Sequence, residues 1–185
     1  FDALDQAPAK PGKQRVLLIL GSNAATVAFA NAFLDEFEVV GLIQEYAKFP
    51  RLPRAFAPIQ DRPFGLTTAE AVDFIDEAVL GPRWNALFMD STIPQLHIRR
   101  GEANTAYVMA WVESLGPDVI VSHGPERLRG EFIGLAKRGG VNVHWGLSPT
   151  YRGMDTTRWP LIHGEPEWIG VTIHRLDPGL DTGPI

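Results

Sequence analysis

The segment RVLLILGSN (residues 15–23), followed by EVVGLI (residues 38–43), indicates the architecture of this chain. A short continuous apolar run that ends in a glycine turn is typical of a buried parallel strand. Over residues 24–36, between the two runs, alanines and apolar side chains recur at helical spacing. The order strand, turn, helix, strand predicts an α/β fold, namely a Rossmann-like, mostly parallel central sheet with helices on both faces.

The rest of the chain continues this alternation. Residues 1–14 are polar and contain proline and glycine, so we expect a flexible leader there and a single domain over residues 15–185. The proline-rich residues 44–63 predict an irregular loop that closes over a site, contacts a subunit or is a surface insertion. Further strands are predicted over residues 94–99, 118–122 and 141–144, and helices over residues 67–80, 104–115 and 131–137 and near residue 160.

Composition excludes several kinds of site. With no cysteine, the chain has no disulfides or thiolate metal ligands, and without HExxH or a His pair at i, i+4 we expect no metal. No apolar run approaches the roughly 20 residues that span a bilayer. We therefore expect a cytoplasmic location and no membrane partner. The net charge of -5 argues against a nucleic-acid partner.

Two polar residues, Asn142 and His144, lie two positions apart in the predicted strand 141–144. Because side chains alternate along a strand, both are expected on one face, at the carboxyl end where open α/β sheets bind ligands. Asp181, in a later Asp-x-Gly turn, is a carboxylate that can join them. An amide, an imidazole and a carboxylate that converge there predict an acid–base site.

The spacing of several motifs carries a family resemblance: Asn142-x-His144, Pro149, Tyr151-Arg152-Gly153, Gly170-Val171-Thr172, His174 and Asp181-x-Gly183. Over residues 117–185 the chain resembles the folate-dependent formyltransferases, in which an amine takes the formyl group of 10-formyltetrahydrofolate. Relatives continue beyond this point, so the resemblance implies a catalytic domain that is either truncated at its C-terminal end or minimal in its fold. It also implies that Asn142 stabilises an oxyanion, His144 moves protons and Asp181 holds the histidine.

The same resemblance implies which residues hold the two substrates. Those for the 10-formyltetrahydrofolate co-substrate are Pro125, Glu126, Arg127, Leu128, Asp177, Gly179 and Leu180. Those for the amine are Gly21, Ser22, Asn23, Ser148, Tyr151 and Arg152. The turn at Gly21 is not a GxGxxG motif, so it is either a capped strand-to-helix turn or an anion site. Glu126 stands where many relatives carry a basic residue, and residues 144–149 (HWGLSP) depart from the His-Pro-Ser-Leu-Leu-Pro of many relatives.

The resulting hypothesis is an N-formyltransferase that acts on the amine of a small molecule. Amino-sugar nucleotides are the leading candidates, and a homodimer is one option. Three alternatives remain open: a 10-formyltetrahydrofolate hydrolase, the catalytic domain of a methionyl-tRNA formyltransferase, and a non-catalytic folate-binding module. Of the other histidines, His174 is expected either to support a site residue without touching the substrate or to be structural. His163 is expected at the surface, and His123 is either a site residue or structural.

Overall fold

In the computed structural model of this chain, the described residues are 13–21, 29–30, 33–34, 36–46 and 93–185. Their strands are β1 Arg15–Gly21, β2 Glu38–Tyr46, β3 Gln95–Arg99, β4 Val119–His123, β5 Gly140–His144 and β6 Thr172–Arg175. The helices whose two ends are described are α1 Ala106–Leu115, α2 Gly130–Ile133 and α3 Trp159–His163, with 3₁₀ turns at Glu102–Asn104 and Pro166–Trp168. Residues 29–30, 33–34 and 36 are also helical.

The strands form one sheet in the order β3-β2-β1-β4-β5-β6. Every neighbouring pair is parallel except β5 and β6, which run antiparallel. This is the Rossmann-like, mostly parallel sheet that the sequence predicts. The strand order reverses between β1 and β4, and open α/β sheets bind ligands beside such a reversal, at the carboxyl ends of the strands.

Two apolar clusters cover the two faces of the sheet. Strand β1 is continuously apolar because its alternate side chains enter different clusters, and each of these side chains is at most 2% exposed. One cluster takes Leu17 and Ile19, and the other takes Val16, Leu18 and Leu20. The first contains buried residues of α1 and α2, so we call its side of the sheet the α1 face. The second contains Ala30 and defines the Ala30 face. Helices therefore cover both faces, as predicted.

Strand β2 is longer than the sequence predicts. It continues to Tyr46 and pairs with both β1 and β3, so Gln44 and Glu45 belong to the sheet and not to the proline-rich loop. Both polar side chains are buried. Glu45 accepts hydrogen bonds from the backbone N–H groups of Gly101, at 2.8 Å, and Glu126. These partners satisfy a buried carboxylate, but they are distant in sequence and no local pattern indicates them.

The helix predicted over residues 131–137 is wrong in length, because α2 ends at Ile133, before Gly134. Lys137 and Arg138 then donate their backbone N–H groups to carbonyls in the turn before β4, at 3.3 and 2.9 Å. Those hydrogen bonds attach the segment to the sheet and replace the ones a longer helix would make. A tertiary contact has overridden local helix propensity.

Some predictions concern residues outside the described ranges. They are the greater part of the leader, the turn residues Ser22 and Asn23, the proline-rich loop beyond residue 46 and the helix over residues 67–80. Within the described residues, no helix combines the length and the apolar character that a membrane-spanning segment needs.

Candidate active site

The polar residues of the site lie in register on three neighbouring strands. Ser122 of β4 pairs with Asn142 of β5, which in turn pairs with His174 of β6. Residues in register share a face of the sheet, so the three side chains meet. Ser122 Oγ donates to Asn142 Oδ1 at 3.1 Å, and Asn142 Nδ2 lies 3.2 Å from His174 Nε2. His144, two residues after Asn142, points to the same face.

Asp181 reaches these side chains through a loop that folds back over the sheet. Because β6 is antiparallel to β5, its last residue, Arg175, lies at the starting end of β5. The Arg175 N–H donates to Pro184 O at 2.8 Å, which brings the chain back alongside β6. Gly183 passes so close that a Cβ there would lie 1.8 Å from Arg175 O. The glycine of the Asp-x-Gly motif is therefore a steric requirement.

The carboxylate of Asp181 is the centre of the site. Its Oδ1 accepts from Asn142 Nδ2 at 3.1 Å and lies 3.5 Å from His174 Nε2. Its Oδ2 accepts from the backbone N–H of Gly153 at 2.8 Å and lies 3.4 Å from His144 Nδ1. The side chain is only 10% exposed, and a buried carboxylate requires such donors. The structure thus brings together Asn142, His144 and Asp181, the three residues predicted to be catalytic.

Hydrogen bonds around Asn142 fix the orientation of its amide. Ser122 donates to the amide oxygen, so the amide nitrogen faces Asp181 and His174. His174 Nδ1 lies 2.9 Å from the carbonyl of Arg175, which only accepts, so Nδ1 carries the proton and Nε2 accepts from Asn142. Sequence reasoning predicted a supporting or structural role for His174 and did not select Ser122. The signal for Ser122 is its place at the end of the buried strand beside β5.

Both ring nitrogens of His144 face oxygen acceptors. Nε2 lies 3.0 Å from the carbonyl of Tyr151, and Nδ1 faces Asp181. A neutral imidazole carries one N–H, so only the doubly protonated ring donates to both oxygens. Gly146 makes this packing possible, because a Cβ there would lie 2.7 Å from His144 Nε2 and 2.6 Å from Tyr151 O.

Tyr151 contributes its backbone to the site. Its side chain is buried, and its hydroxyl donates to Glu165 Oε2 at 2.6 Å and lies 2.9 Å from His163 Nδ1. The hydrogen bond to Glu165 raises the pKa of Tyr151 to about 12. The residue predicted to contact the amine substrate therefore has its hydroxyl occupied within the protein, and it reaches His144 through its carbonyl.

A narrow cavity of about 60 Å³ opens beside Asn142, His174 and Asp181. It is lined by all seven residues predicted to bind the folate: Pro125, Glu126, Arg127, Leu128, Asp177, Gly179 and Leu180. His144 is not among the described residues that line it. A wider groove of about 940 Å³ shares Glu126 and Arg127 with the cavity.

The other residues predicted to bind the amine have separate surroundings. Gly21 ends β1, where a Cβ would lie 2.9 Å from the carbonyl oxygen of Gly124. Ser148 donates its backbone N–H to Thr172 Oγ1 at 3.0 Å, while its own buried hydroxyl has no hydrogen-bond partner among the described residues. Such a hydroxyl is uncommon in folded proteins and leaves one hydrogen bond to be made. Arg152 is exposed, and Ser22 and Asn23 lie outside the described residues.

A buried carboxylate supports one wall of the cavity. Glu45 holds the backbone of Glu126, which lines the cavity, and that of Gly101, which lines the wider groove. Burial raises the pKa of Glu45. The Glu126 side chain is itself paired with Arg100 at 3.3 Å. Sequence reasoning missed Glu45 because it was assigned to a loop.

The chain is similar in sequence to proteins that are named as formyltransferases. Residues 61–185 match the family model of the formyl transferases. The GDP-perosamine N-formyltransferases of Brucella melitensis biotype 1 and Brucella abortus are each 40% identical to the chain over 84 residues. That match covers 45% of this chain and 32% of each relative, so it spans about a third of their length.

Solved formyltransferase structures share the fold. Phosphoribosylglycinamide formyltransferase from Bacillus halodurans has a TM-score of 0.54 over 92% of this chain and 76% of its own, at 20% identity. The protein of that name from Anaplasma phagocytophilum has a TM-score of 0.59 over 94% and 69%, at 18% identity. At such identities the likeness shows the fold alone. The family model, however, matches more than half of the chain, and its range includes Asn142, His144 and Asp181. The chain therefore belongs to the formyl transferase family.

Proposed function

We propose that this chain transfers a formyl group from 10-formyltetrahydrofolate to the amine of a small molecule, with an amino-sugar nucleotide as the acceptor. The observation that carries the proposal is the position of Asp181. Its carboxylate contacts Asn142, His144 and His174 at the wall of a cavity. An amide donor, an imidazole and a carboxylate beside one cavity are the groups that formyl transfer needs.

The cavity fits the formyl-bearing end of a folate in its chemistry but is small for the ring system. Asn142 and Asp181 face the segments 125–128 and 176–180, which offer hydrogen-bond donors and acceptors. Its volume of about 60 Å³ is well below the roughly 300–1,000 Å³ of typical ligand sites. The adjoining groove of about 940 Å³ supplies space, so folate binding uses both. Among the described residues, no group of His, Asp or Glu side chains is arranged to hold a metal ion.

The transfer needs no nucleophilic side chain. 10-Formyltetrahydrofolate supplies the formyl group, and the lone pair of the acceptor amine forms the new bond to the formyl carbon as the bond to the folate nitrogen breaks. Two tasks are left to the protein. It must stabilise the negative charge that develops on the formyl oxygen, and it must move a proton from the attacking nitrogen to the leaving one.

In the proposed mechanism, Asn142 stabilises the formyl oxygen. Its amide hydrogens are directed to Asp181 Oδ1 and His174 Nε2, while Ser122 holds the amide oxygen. The longer contact, 3.2 Å to His174, is the one that a developing oxyanion would replace. A donor aimed at an oxyanion typically contributes about 2.7–4 kcal/mol of transition-state stabilisation.

In the proposed mechanism, His144 moves the proton. Its Nδ1 stays on Asp181, whose charge stabilises the doubly protonated ring, and Nε2 exchanges the carbonyl of Tyr151 for the reacting nitrogen. A positioned acid–base group typically contributes about 10²–10⁴-fold in rate. Asp181 links the two tasks, because its other oxygen holds Asn142.

The choice of acceptor follows the relatives. The two Brucella proteins are named for GDP-perosamine, an amino-sugar nucleotide, and they share 40% identity with the chain over 84 residues. An amino-sugar nucleotide supplies the amine that the mechanism requires. The cytoplasmic location and the homodimer stay predictions of the sequence.

The test mixes the purified protein with 10-formyltetrahydrofolate and candidate amines, GDP-perosamine first, and follows tetrahydrofolate and the formylated product. We expect the two products to appear together, and His144→Ala to abolish both while the variant stays folded and still binds folate. Full activity in His144→Ala would contradict the mechanism. Formate release without an amine would identify a hydrolase, transfer to methionyl-tRNA alone a tRNA formyltransferase, and folate binding without turnover a non-catalytic module.

A further inference from the structure

Trp145, the residue after His144, is an exposed aromatic side chain with a fixed orientation. It is 48% exposed, yet its Nε1–H donates to His123 Nε2 at 2.9 Å. It is not among the described residues that line the narrow cavity or the wider groove. The catalytic steps proposed for His144 give Trp145 no task, so its exposure beside the site requires another explanation.

His123 fixes the indole from the protein side. Its Nδ1 lies 2.8 Å from the carbonyl of Val143, which only accepts, so Nδ1 carries the proton and Nε2 is free to accept from Trp145. The rings of His123 and Trp145 are stacked, with centroids 5.8 Å apart and planes 23° apart, and Phe29 packs on His123 with a centroid separation of 5.2 Å. Burial lowers the pKa of His123, which favours the neutral ring that accepts this hydrogen bond.

The indole lies on the face of the sheet opposite the folate cavity. Leu128 and Leu176, which line the cavity, belong to the core cluster of the α1 face. Phe29, which contacts His123, packs on the cluster of the Ala30 face. Strand alternation gives the same result. Asn142 and His144 point to the cavity side, so Val143 and Trp145 point to the opposite side. A folate in the cavity therefore does not occupy the side of Trp145, and the second substrate can approach there.

We propose that the indole of Trp145, held by His123, is the platform on which the sugar ring of the acceptor lies when its amine meets the formyl group. This inference rests on the proposed function and adds the direction of entry, from the Ala30 face. The face of an indole carries partial negative charge, which attracts the C–H groups on the apolar face of a sugar. A side chain that is already immobile loses little conformational entropy when a ligand stacks on it.

Distance along the chain selects the sugar and not the nucleobase. The Cα atoms of Trp145 and His144 are neighbours, about 3.8 Å apart, and His144 must reach the reacting nitrogen. Only the ring that bears the amine can lie that close, because the diphosphate separates the base from the sugar. The base of the acceptor therefore lies beyond Trp145.

The test measures KM for GDP-perosamine and for 10-formyltetrahydrofolate in Trp145→Ala and Trp145→Phe. We expect Trp145→Ala to raise the acceptor KM by roughly 3- to 10-fold, Trp145→Phe to recover most of it, and the folate KM to stay unchanged. The matched control is Trp159→Ala, since Trp159 is equally exposed at 48% and also lies beside a histidine, His163, with ring centroids 5.8 Å apart. That control should leave both KM values unchanged.

A binding measurement without folate separates this inference from the proposed function. GDP-perosamine should quench tryptophan fluorescence in the native protein and in Trp159→Phe but not in Trp145→Phe, whether or not formyl transfer occurs. GDP alone should bind Trp145→Ala as tightly as the native protein. If the acceptor KM and the fluorescence quench were unchanged in the Trp145 variants, the inference would be overturned. If Trp145→Ala lost as much affinity for GDP as for GDP-perosamine, the choice of the sugar ring would be overturned. Absence of transfer by a native protein whose quench depends on Trp145 would instead count against the proposed function alone.

Discussion

Replacing Asp181 by asparagine tests the site most directly, because it keeps the shape and removes the charge. Three donors point at the two carboxylate oxygens: Asn142 Nδ2, the Gly153 N–H and His144 Nδ1. Oδ1 faces the side chains of Asn142 and His174, and Oδ2 faces the N–H of Gly153 and the ring of His144. An amide has one oxygen and one NH₂ group. In either orientation of this amide, its NH₂ group faces a donor whose hydrogen bond the native carboxylate accepts.

The expected loss can be worked from the distances. His144 Nδ1 lies 3.4 Å from the carboxylate, and both side chains are at most 10% exposed. At an effective dielectric constant of about 20, opposite charges at that distance attract by roughly 5 kcal/mol. If the doubly protonated ring forms only during transfer, kcat falls by about 10³–10⁴-fold, while KM for both substrates changes little. The lost hydrogen bond costs a further 1–3 kcal/mol, roughly, in the free energy of unfolding.

The assay is steady-state transfer from 10-formyltetrahydrofolate, with urea unfolding of each variant in parallel. Asp177→Asn is the matched control, because Asp177 lines the same cavity but holds Gly179 and Thr182. We expect that control to change the folate KM and to leave kcat within about threefold. If folded Asp181→Asn kept its kcat within tenfold of the native value, or if Asp177→Asn lost as much, the role given to Asp181 would be refuted.

Three further changes probe the surroundings. Gly146→Ala should lower kcat by about 100-fold or more, because the new Cβ would lie 2.7 Å from His144 Nε2; a native kcat in the folded variant would contradict this. For Glu45, burial raises the pKa from 4.5, so its contribution to stability is present below pH 4.5 and is lost as the pH rises through the raised value. In urea unfolding, the stability of Glu45→Gln relative to the native protein should therefore increase between pH 4.5 and neutral pH. A difference in the free energy of unfolding that stays constant with pH would count against the buried charge. For Tyr151, whose pKa is raised to about 12, Tyr151→Phe should be less stable than the native protein up to pH 10.0. The difference should disappear as the pH rises through about 12. Thermal unfolding measures it, and a difference that does not change with pH over this range would contradict the hydrogen bond to Glu165.

The central strands could be predicted because their sequences report burial directly. An apolar run such as that of β1 follows from a sheet covered on both faces, and the alternation that places Asn142 and His144 together is a local property of one strand. Strand β2 shows the limit of this reasoning. Gln44 and Glu45 looked like loop residues because they are polar, but the groups that Glu45 binds come from distant segments.

Within the site, the sequence indicated which residues could take part in the chemistry better than it indicated their hydrogen-bond partners. Ser122 was not selected, because its contact with Asn142 depends on which strands are neighbours and in which register. Tyr151 was predicted to contact the substrate because it follows the site turn, and no local pattern indicated that its hydroxyl donates to Glu165. Trp145 was noted only as a departure from relatives, since its hydrogen bond to His123 joins two strands.

The antiparallel direction of β6 explains why the Asp181 carboxylate comes from so far along the chain. Parallel strands deliver their last residues to the carboxyl edge of the sheet, as β4 and β5 do with His123 and His144. β6 runs the other way, so the chain after it starts at the wrong edge and must return across the sheet to end beside Asn142. That return does two things at once. Its first part, from Leu176 to Leu180, lines the cavity proposed to bind folate, and its end places Asp181 against the imidazole of His144. The cavity wall and the Asp181 carboxylate thus belong to one continuous segment. A change in how the chain passes β6 at Gly183 is therefore expected to disturb both.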